Sequence, residues 1–199
     1  MAARPELHDP RVLRAISHPI RNRILTELDA SGPLRAADIA VRLGIPANSA
    51  SFHLRQLAKF GLVEEDPSAA RDRRDRVWKA TDEDGYNIQL GEIEKMPGGK
   101  AASAVFRRTK VAWAHHVVEQ AFGEDRTPGT TRTVTEQAVR LSKAEALELT
   151  EELTRLVETW QHRTRAGGGD DDDDDDDGER STYQVFQVVQ PFPEHPVDH

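Results

Sequence analysis

The segment at residues 44–66, GIPANSASFHLRQLAKFGLVEED, constrains the fold of this chain more than any other stretch. It begins with a glycine and a proline, continues as a short helix-forming run, and ends at a second glycine. At 100° per residue, Ala50, Leu54 and Leu57 fall on one side of that helix. We therefore predict a short helix, over about residues 47–60, that packs against a core along one narrow side.

The opposite side of this helix carries groups suited to DNA base edges. It is polar, it offers hydrogen-bond donors and acceptors, and it includes one aromatic side chain that an ordinary solvent-exposed helix does not need. A plain solvent face is the alternative interpretation. The candidate contact residues are Asn48, Phe52, Arg55, Gln56 and Lys59, with Ser49 and Ser51 flanking the start of the helix.

Three short helices are predicted ahead of this segment. Asp9 is a good N-cap, and Pro10 fits the first position of the first helix. His18 and Pro19 open a second helix, which the sequence DASGP at 29–33 ends. A third helix is predicted from about residue 35 to 43, where Gly44 supplies a left-handed cap.

A basic hairpin is predicted after the fourth helix. LVEED at 62–66 and RVWKAT at 76–81 have the composition of partner strands, and the loop between them carries four arginines. In one interpretation these contact DNA; in the other they merely prevent edge-to-edge aggregation, since Asp72 and Asp75 dilute their charge. The order of helices and hairpin is typical of a winged helix-turn-helix. The four residues are Arg71, Arg73, Arg74 and Arg76.

The sequences ISHPIRNRILTEL, RAADIAVRLGIPANSASFHLRQLAKFGLVEED and RDRRDRVWKAT resemble the ArsR family of bacterial winged-helix transcription regulators, over roughly residues 10–82. The resemblance implies a homodimeric repressor or activator that places the 47–60 helix in successive major grooves of double-stranded DNA. We include His53 among the DNA-binding candidates. The series that resembles the family's recognition helix is Ser51, His53, Leu54, Leu57, Gly61, Leu62 and Val63.

Charge is divided along the chain in a way that favours this interpretation. The net charge is −8, but residues 1–80 hold 14 Lys or Arg against 10 Asp or Glu. The excess of negative charge lies in the remaining residues, and much of it comes from eight consecutive aspartates, Asp170–Asp177. Such a run repels itself and is typical of a solvated loop. The N-terminal part is therefore mildly basic, as a DNA-binding domain would be.

Several classes of protein are disfavoured by what the sequence lacks. It has no Cys, which excludes disulfides, cysteine nucleophiles and the thiolate sites of metal-sensing ArsR members. No signal peptide or membrane span is predicted, so we expect a cytoplasmic protein. No phosphate loop, nucleophile elbow or acid/base pair is present, and we expect neither an enzyme nor a cofactor.

No metal site is expected either. His115 and His116 are adjacent, so on a helix they point about 100° apart. The C-terminal groups Glu194, His195, Asp198 and His199, like the aspartate run, lack the spacing of a preorganised site.

The rest of the chain is predicted as a smaller helix and strand region. A long helix is expected over about 100–123, a strand over 130–142, and a helix opened by a Ser142–Glu145 capping box. A last strand near 183–189 would pair with the one near 131–141. The fold class is thus α+β and mainly helical. The predicted divisions are a DNA-binding domain at 9–82, a connector at 83–99, a Gly/Asp-rich loop at 167–180, and a dimerisation and effector region at 100–166 and 181–193.

The long helix also suggests how two chains associate. Its apolar surface is wider than a monomer needs, so we place a dimer interface on Phe106, Trp113 and Val117, together with Val12 and Ile16 of the first helix. The function predicted is a homodimeric, sequence-specific repressor that reads a near-palindromic operator with the 47–60 helix and contacts flanking DNA with a wing at 66–76. The alternative is a winged-helix module that binds proteins, with the acidic run docking a basic partner. No residue identifies an effector.

Overall fold

The computed structural model describes residues 6–7, 9–70, 76–82, 87–124, 127–166 and 180–193. The chain divides into an N-terminal unit, Met1–His115, and a C-terminal unit, His116–His199. The division falls inside one long helix.

The N-terminal unit begins with four short helices: α1 (Pro10–Ile16), α2 (Pro19–Ser31), α3 (Ala36–Leu43) and α4 (Ala47–Ala58). All four were predicted. The predicted cap of α1 is present, because the Asp9 carboxylate accepts a hydrogen bond from a backbone N–H of the first turn at 2.7 Å. Helix α2 runs three residues into the predicted breaker sequence, to Ser31. It ends at Gly32, whose positive φ of 76° no other residue type adopts as easily.

The turn between α3 and α4 follows from the local sequence. Gly44 has a left-handed φ of 64°, and its N–H bonds back to the carbonyl groups at the end of α3. The N–H of Ile45 also donates to the Ala40 carbonyl at 3.0 Å. Pro46, extended at φ −60° and ψ 142°, then starts α4. These bonds fix the angle at which α4 leaves α3.

A three-stranded antiparallel sheet lies beside these helices, in the order β2–β4–β3. Strands β3 (Val63–Glu65) and β4 (Val77–Ala80) form the predicted hairpin. Strand β2 (Leu34–Arg35) pairs with the other edge of β4 and was not predicted, because two residues carry no readable alternation. A separate parallel pair joins β1 (Glu6–Leu7) to β5 (Asn87–Ile88).

The described part of the connector, residues 87–99, contains regular secondary structure where the sequence predicted an extended segment. After β5 it contains a short helix, α5 (Leu90–Glu94), and then α6 (Gly99–Phe122) begins. Ile93 of α5 and Ala102 of α6 are fully buried, and Phe106 is nearly so. These side chains complete a core shared with α1–α4 and β4, which contains Leu13, Ile24, Leu28, Ile39, Leu54, Leu57, Leu62 and Trp78 among others.

The C-terminal unit is helical and carries two extended segments. Helix α7 (Lys143–Ala166) starts with the predicted capping box, since the Ser142 N–H donates to the Glu145 carboxylate at 2.7 Å and the Glu145 N–H donates to the Ser142 hydroxyl at 3.3 Å. Among the described residues, 131–141 and 181–190 belong to no strand, and the predicted pairing between them is not formed. The Thr131 N–H instead donates to the Tyr183 hydroxyl at 3.1 Å. Their β-branched composition favours extended backbone, but it does not supply a pairing partner.

Candidate nucleic-acid interface

Helix α4 has two chemically different faces, as predicted. Ala50, Leu54 and Leu57 are completely buried in the core. The opposite face contains four exposed residues, Asn48, Phe52, Arg55 and Lys59, and three partly exposed ones, Ser49, Ser51 and Gln56. The structure therefore brings seven of the eight predicted contact residues of this helix to the surface.

The cationic groups on α4 differ from the other cations around it. Arg55 and Lys59 are exposed, and neither forms an ion pair within the part of the chain that the structure describes. On α3, by contrast, the Arg42 guanidinium lies 3.4 Å from the Glu27 carboxylate and also contacts the Ser31 hydroxyl. The charges of α4 are thus available to a ligand, whereas that of Arg42 is already engaged within the protein.

The wing is only partly described. Arg71, Arg73 and Arg74 lie outside the described residues, and the prediction that they contact DNA stays a prediction. Arg76 is exposed, with its guanidinium 3.5 Å from the Glu65 carboxylate. The Lys79 ammonium lies 3.4 Å from Glu64. The described base of the hairpin therefore pairs its charges internally.

His53 is the exception among the predicted contact residues. Its side chain is 93% buried, on the inner side of α4, with its ring centroid 4.7 Å from that of His18. The Phe52 and His53 rings form an edge-to-face contact, with their centroids 5.3 Å apart. An imidazole in this position does not reach a base edge. The assignment of His53 as a direct DNA contact is therefore corrected: it supports the helix from behind.

The surroundings of both histidines favour the neutral imidazole. Burial lowers the pKa of His18 and of His53, and the positive charge of Arg21 lowers both further. The Arg21 guanidinium is fixed in place because it donates to the carbonyl oxygens of Ala15, at 2.6 Å, and Arg14, at 3.3 Å. Sequence reasoning identified His18 only as the start of α2. The contact between residues 18 and 53 joins two distant helices, and neither local sequence indicates it.

Helix α3, which positions α4, is fixed at its start by a capping box. The Asp38 carboxylate accepts hydrogen bonds from the Arg35 N–H, at 3.2 Å, and from the Arg35 guanidinium, at 2.9 and 3.2 Å. These bonds lower the pKa of Asp38, so the carboxylate stays ionised near the positive end of the helix.

The predicted dimerisation residues divide into two groups. Val12, Ile16 and Phe106 are at most 9% exposed because they pack into the core of the N-terminal unit. Their side chains are therefore committed to the protomer, which corrects their placement at an interface. Trp113 and Val117, further along α6, are partly exposed. The wider apolar surface predicted for this helix is present at Val111, Val118 and Phe122, which are all exposed.

The sequence also gave no indication of an interaction between α6 and α2. The Lys110 ammonium donates to the Asn22 side-chain carbonyl of α2 at 2.9 Å and lies 5.5 Å from the centre of the Phe106 ring. Burial lowers its pKa. Lys110 thus links α6 to α2 within the N-terminal unit.

Among the described residues, no cluster of three or more His, Asp or Glu side chains is arranged to hold a metal ion. His115 and His116 are exposed on α6. The other weak metal candidates, the aspartate run and Glu194, His195, Asp198 and His199, lie outside the described residues. Within the described part of the chain, no helix is both long and apolar enough to span a membrane.

Comparisons with known proteins agree with this geometry at the level of the domain. Residues 16–66, from the end of α1 to the residue after β3, match the family model described as a helix-turn-helix domain. No curated protein matches the sequence.

Two solved structures show limited similarity. The first is a homodimeric winged helix-turn-helix DNA-binding domain from Mycobacterium bovis, described as a possible ArsR-family transcriptional regulator; it is 22% identical, with 59% of this chain and 83% of that chain covered and a TM-score of 0.32. The second is a transcriptional regulator from Thermotoga maritima, 15% identical, with 77% and 83% covered and a TM-score of 0.31. At these TM-scores neither structure carries an argument about this chain.

The family match covers α2, α3, the turn and α4, and the strands that follow form the wing. The helix-turn-helix predicted from the residue pattern is thus confirmed by an independent comparison over residues 16–66, and the N-terminal unit has the architecture of a winged helix-turn-helix.

Proposed function

We propose that this protein is a homodimeric transcription repressor that binds a near-palindromic operator in double-stranded DNA, in the cytoplasm, with α4 in the major groove. The observation that carries the proposal is the outward face of α4. On a winged helix-turn-helix domain it presents an amide side chain, an exposed aromatic ring and two cations that form no ion pair among the described residues.

Each group on that face has a role in this proposal. The Arg55 guanidinium donates two parallel hydrogen bonds to a guanine edge, and the Asn48 amide suits adenine. The Phe52 ring, 49% exposed, offers an apolar contact to a thymine methyl group. Lys59, at the end of the helix, contacts phosphate. The arginines of the wing add phosphate contacts on the flanking DNA.

Selection of bound fragments from the source genome tests the proposal and yields the operator. With that operator, Arg55→Ala is expected to weaken binding by ~1 to 3 kcal/mol and to relax the preference at one position in each half-site. Arg108→Ala, which removes an exposed arginine from α6, is the matched control and is expected to leave the sequence preference unchanged.

Two outcomes would contradict the proposed function. If no fragment were enriched, α4 would not read bases, and the alternative of a protein-binding winged helix would gain support. If Arg55→Ala and Arg108→Ala weakened binding equally at every sequence, the contribution of Arg55 would be charge alone.

Binding by a DNA-reading protein should also weaken by orders of magnitude between low and moderate salt.

Exposed apolar side chains on α6 and α7 support the proposed dimer. Apolar side chains are exposed on both long helices, including Phe122, at 73%, and Trp160, at 55%. Exposed apolar surface of this extent is typical of an interface. One recognition helix contacts only a few base pairs, whereas two helices held ~34 to 36 Å apart read a full palindrome.

Sedimentation of the purified full chain at micromolar concentration measures the dimer. A mass near twice 22.3 kDa is expected for the wild type. Trp113→Asp is expected to shift that mass toward the monomer and to abolish operator binding, while circular dichroism checks that its helices remain. A wild type that sediments as a monomer, alone and with DNA, would refute the dimer.

A further inference from the structure

The His18–His53 contact joins two parts of the domain that the chain separates by 34 residues. His18 is the residue before α2, directly after the corner at which α1 ends, and His53 is in the middle of α4. Their rings are 4.7 Å apart and tilted by 44°. The inner side of α4 therefore packs, through the His53 imidazole, against the imidazole of His18.

The hydrogen bonding of this pair suits only neutral rings. The Nδ1 atoms of both histidines are buried and have no hydrogen-bond partner among the described residues. A neutral imidazole can keep this nitrogen as an unprotonated acceptor, which costs less to leave unpaired than an N–H on a charged ring. A protonated imidazole has an N–H on both nitrogens. A buried N–H without an acceptor, on a charged ring, is costly.

The charged groups around the pair add to that cost. Arg21 of α2 is the cation whose charge acts on both rings. On the neighbouring helices, Asp38 is bonded to Arg35, Arg42 is paired with Glu27, and Lys110 is bonded to Asn22. Within the described residues, no hydrogen bond or ion pair joins a carboxylate to either imidazole. Nothing described near the pair compensates a positive charge.

We propose that His18 and His53 form a proton-sensitive contact that positions α4 on the corner between α1 and α2, and that uptake of a proton by the pair loosens this contact. His18 is a positioning residue, because it acts through His53. Phe52 packs edge-on against His53 and extends the effect to the outward face of α4. The consequence for DNA rests on the proposed function; the loosening of α4 does not.

The sign of the pH dependence follows from the neutral native pair. The unfolded chain binds protons near pH 6.5, and the folded pair binds them only at lower pH, so the unfolded or open form takes up more protons in between. The opening equilibrium of α4 is constant above about pH 6.5. Below it, that equilibrium rises by up to tenfold per pH unit for each histidine.

Amide hydrogen exchange on the full chain between pH 7.5 and 5.5, corrected for the intrinsic exchange rate, measures the opening of α4. We expect the opening constant to rise as the pH falls in the wild type. His18→Gln and His53→Gln, which cannot be protonated, should each flatten this rise. His115→Gln, at an exposed position of α6, is the matched control and should keep the wild-type profile.

The proposal is overturned if the wild-type opening of α4 does not depend on pH, or if His115→Gln flattens the profile as much as His18→Gln does. Should either glutamine variant fail to fold, NMR titration of the imidazoles in the wild type decides instead. Titration of both rings at or above their ordinary pKa would overturn the proposal, and titration of both below it would support it.

A DNA measurement separates this proposal from the proposed function. In the wild type, the affinity ratio between a genome-selected fragment and its scrambled sequence should decrease as the pH is lowered. In His18→Gln the decrease should be smaller. A pH-dependent α4 in a protein that selects no fragment would refute the proposed function and leave the proton-sensitive contact standing. Selective DNA binding by a protein in which the opening of α4 does not depend on pH would support the proposed function and refute the proton-sensitive contact.

Discussion

The junction between α5 and α6 is closed so tightly at Gly99 that an alanine there should destabilise the N-terminal unit. Gly99 is buried, and a Cβ atom on it would lie 1.7 Å from the carbonyl oxygen of Ile93 and 2.7 Å from the carbonyl carbon. Both are backbone atoms of α5, so the clash cannot be relieved by a rotamer change. Forcing extra atoms into a packed site costs ~1 to 3 kcal/mol, occasionally more. A backbone clash of this size places Gly99→Ala at the upper end of that range.

Gly91, the second residue of α5, is the matched control. A Cβ atom there meets nothing within 4 Å, and its φ is not positive. Gly91→Ala should therefore be neutral or stabilise by up to ~1 kcal/mol through helix propensity and the unfolded chain.

Urea unfolding of both variants, followed by circular dichroism and by tryptophan fluorescence that includes the buried Trp78, compares the two glycines. The expected difference between their free energies of unfolding is at least ~2 kcal/mol. If the two variants unfolded with the same free energy, α5 and α6 would not pack as described, and the contribution of Ile93 and Phe106 to the core would be refuted with them.

Two further predictions concern helix starts. Asp38→Asn should cost about 0.5 to 2 kcal/mol at pH 7, because the amide replaces a carboxylate that accepts three bonds from Arg35. Since the folded-state pKa of Asp38 is lowered, the stabilisation by its carboxylate is complete above about pH 3.9 and is lost as the pH falls below it. Urea titrations of wild type and variant measure this loss. If the difference between their free energies of unfolding grew toward acid pH, the role of the carboxylate would be contradicted. Ser142→Ala should lower the protection of the first turn of α7 in hydrogen exchange by ~0.5 to 2 kcal/mol, whereas Thr150→Ala, one turn further along α7, should not.

Helix ends and the orientation of α4 could be predicted from the sequence, because both depend on residues that are close together in the chain. Asp9 with Pro10, and Gly44 with Pro46, place the ends of helices because caps and fixed backbone angles act within a few residues. The spacing of Ala50, Leu54 and Leu57 sufficed to orient α4, because burial on a single helix follows its period.

Tertiary structure decided whatever depends on residues that are distant in sequence. The resemblance to a family's recognition helix put His53 among the DNA contacts, yet its imidazole packs inward against His18. The apolar side chains of α1 and the start of α6 suggested an interface, but Val12, Ile16 and Phe106 fill the core of their own unit. An apolar pattern indicates that a side chain is buried and not which surface buries it. In the same way, residues 131–141 and 181–190 have the composition of strands but no pairing partner among the described residues, since a strand is defined by hydrogen bonds to another strand and composition supplies only half of that pair.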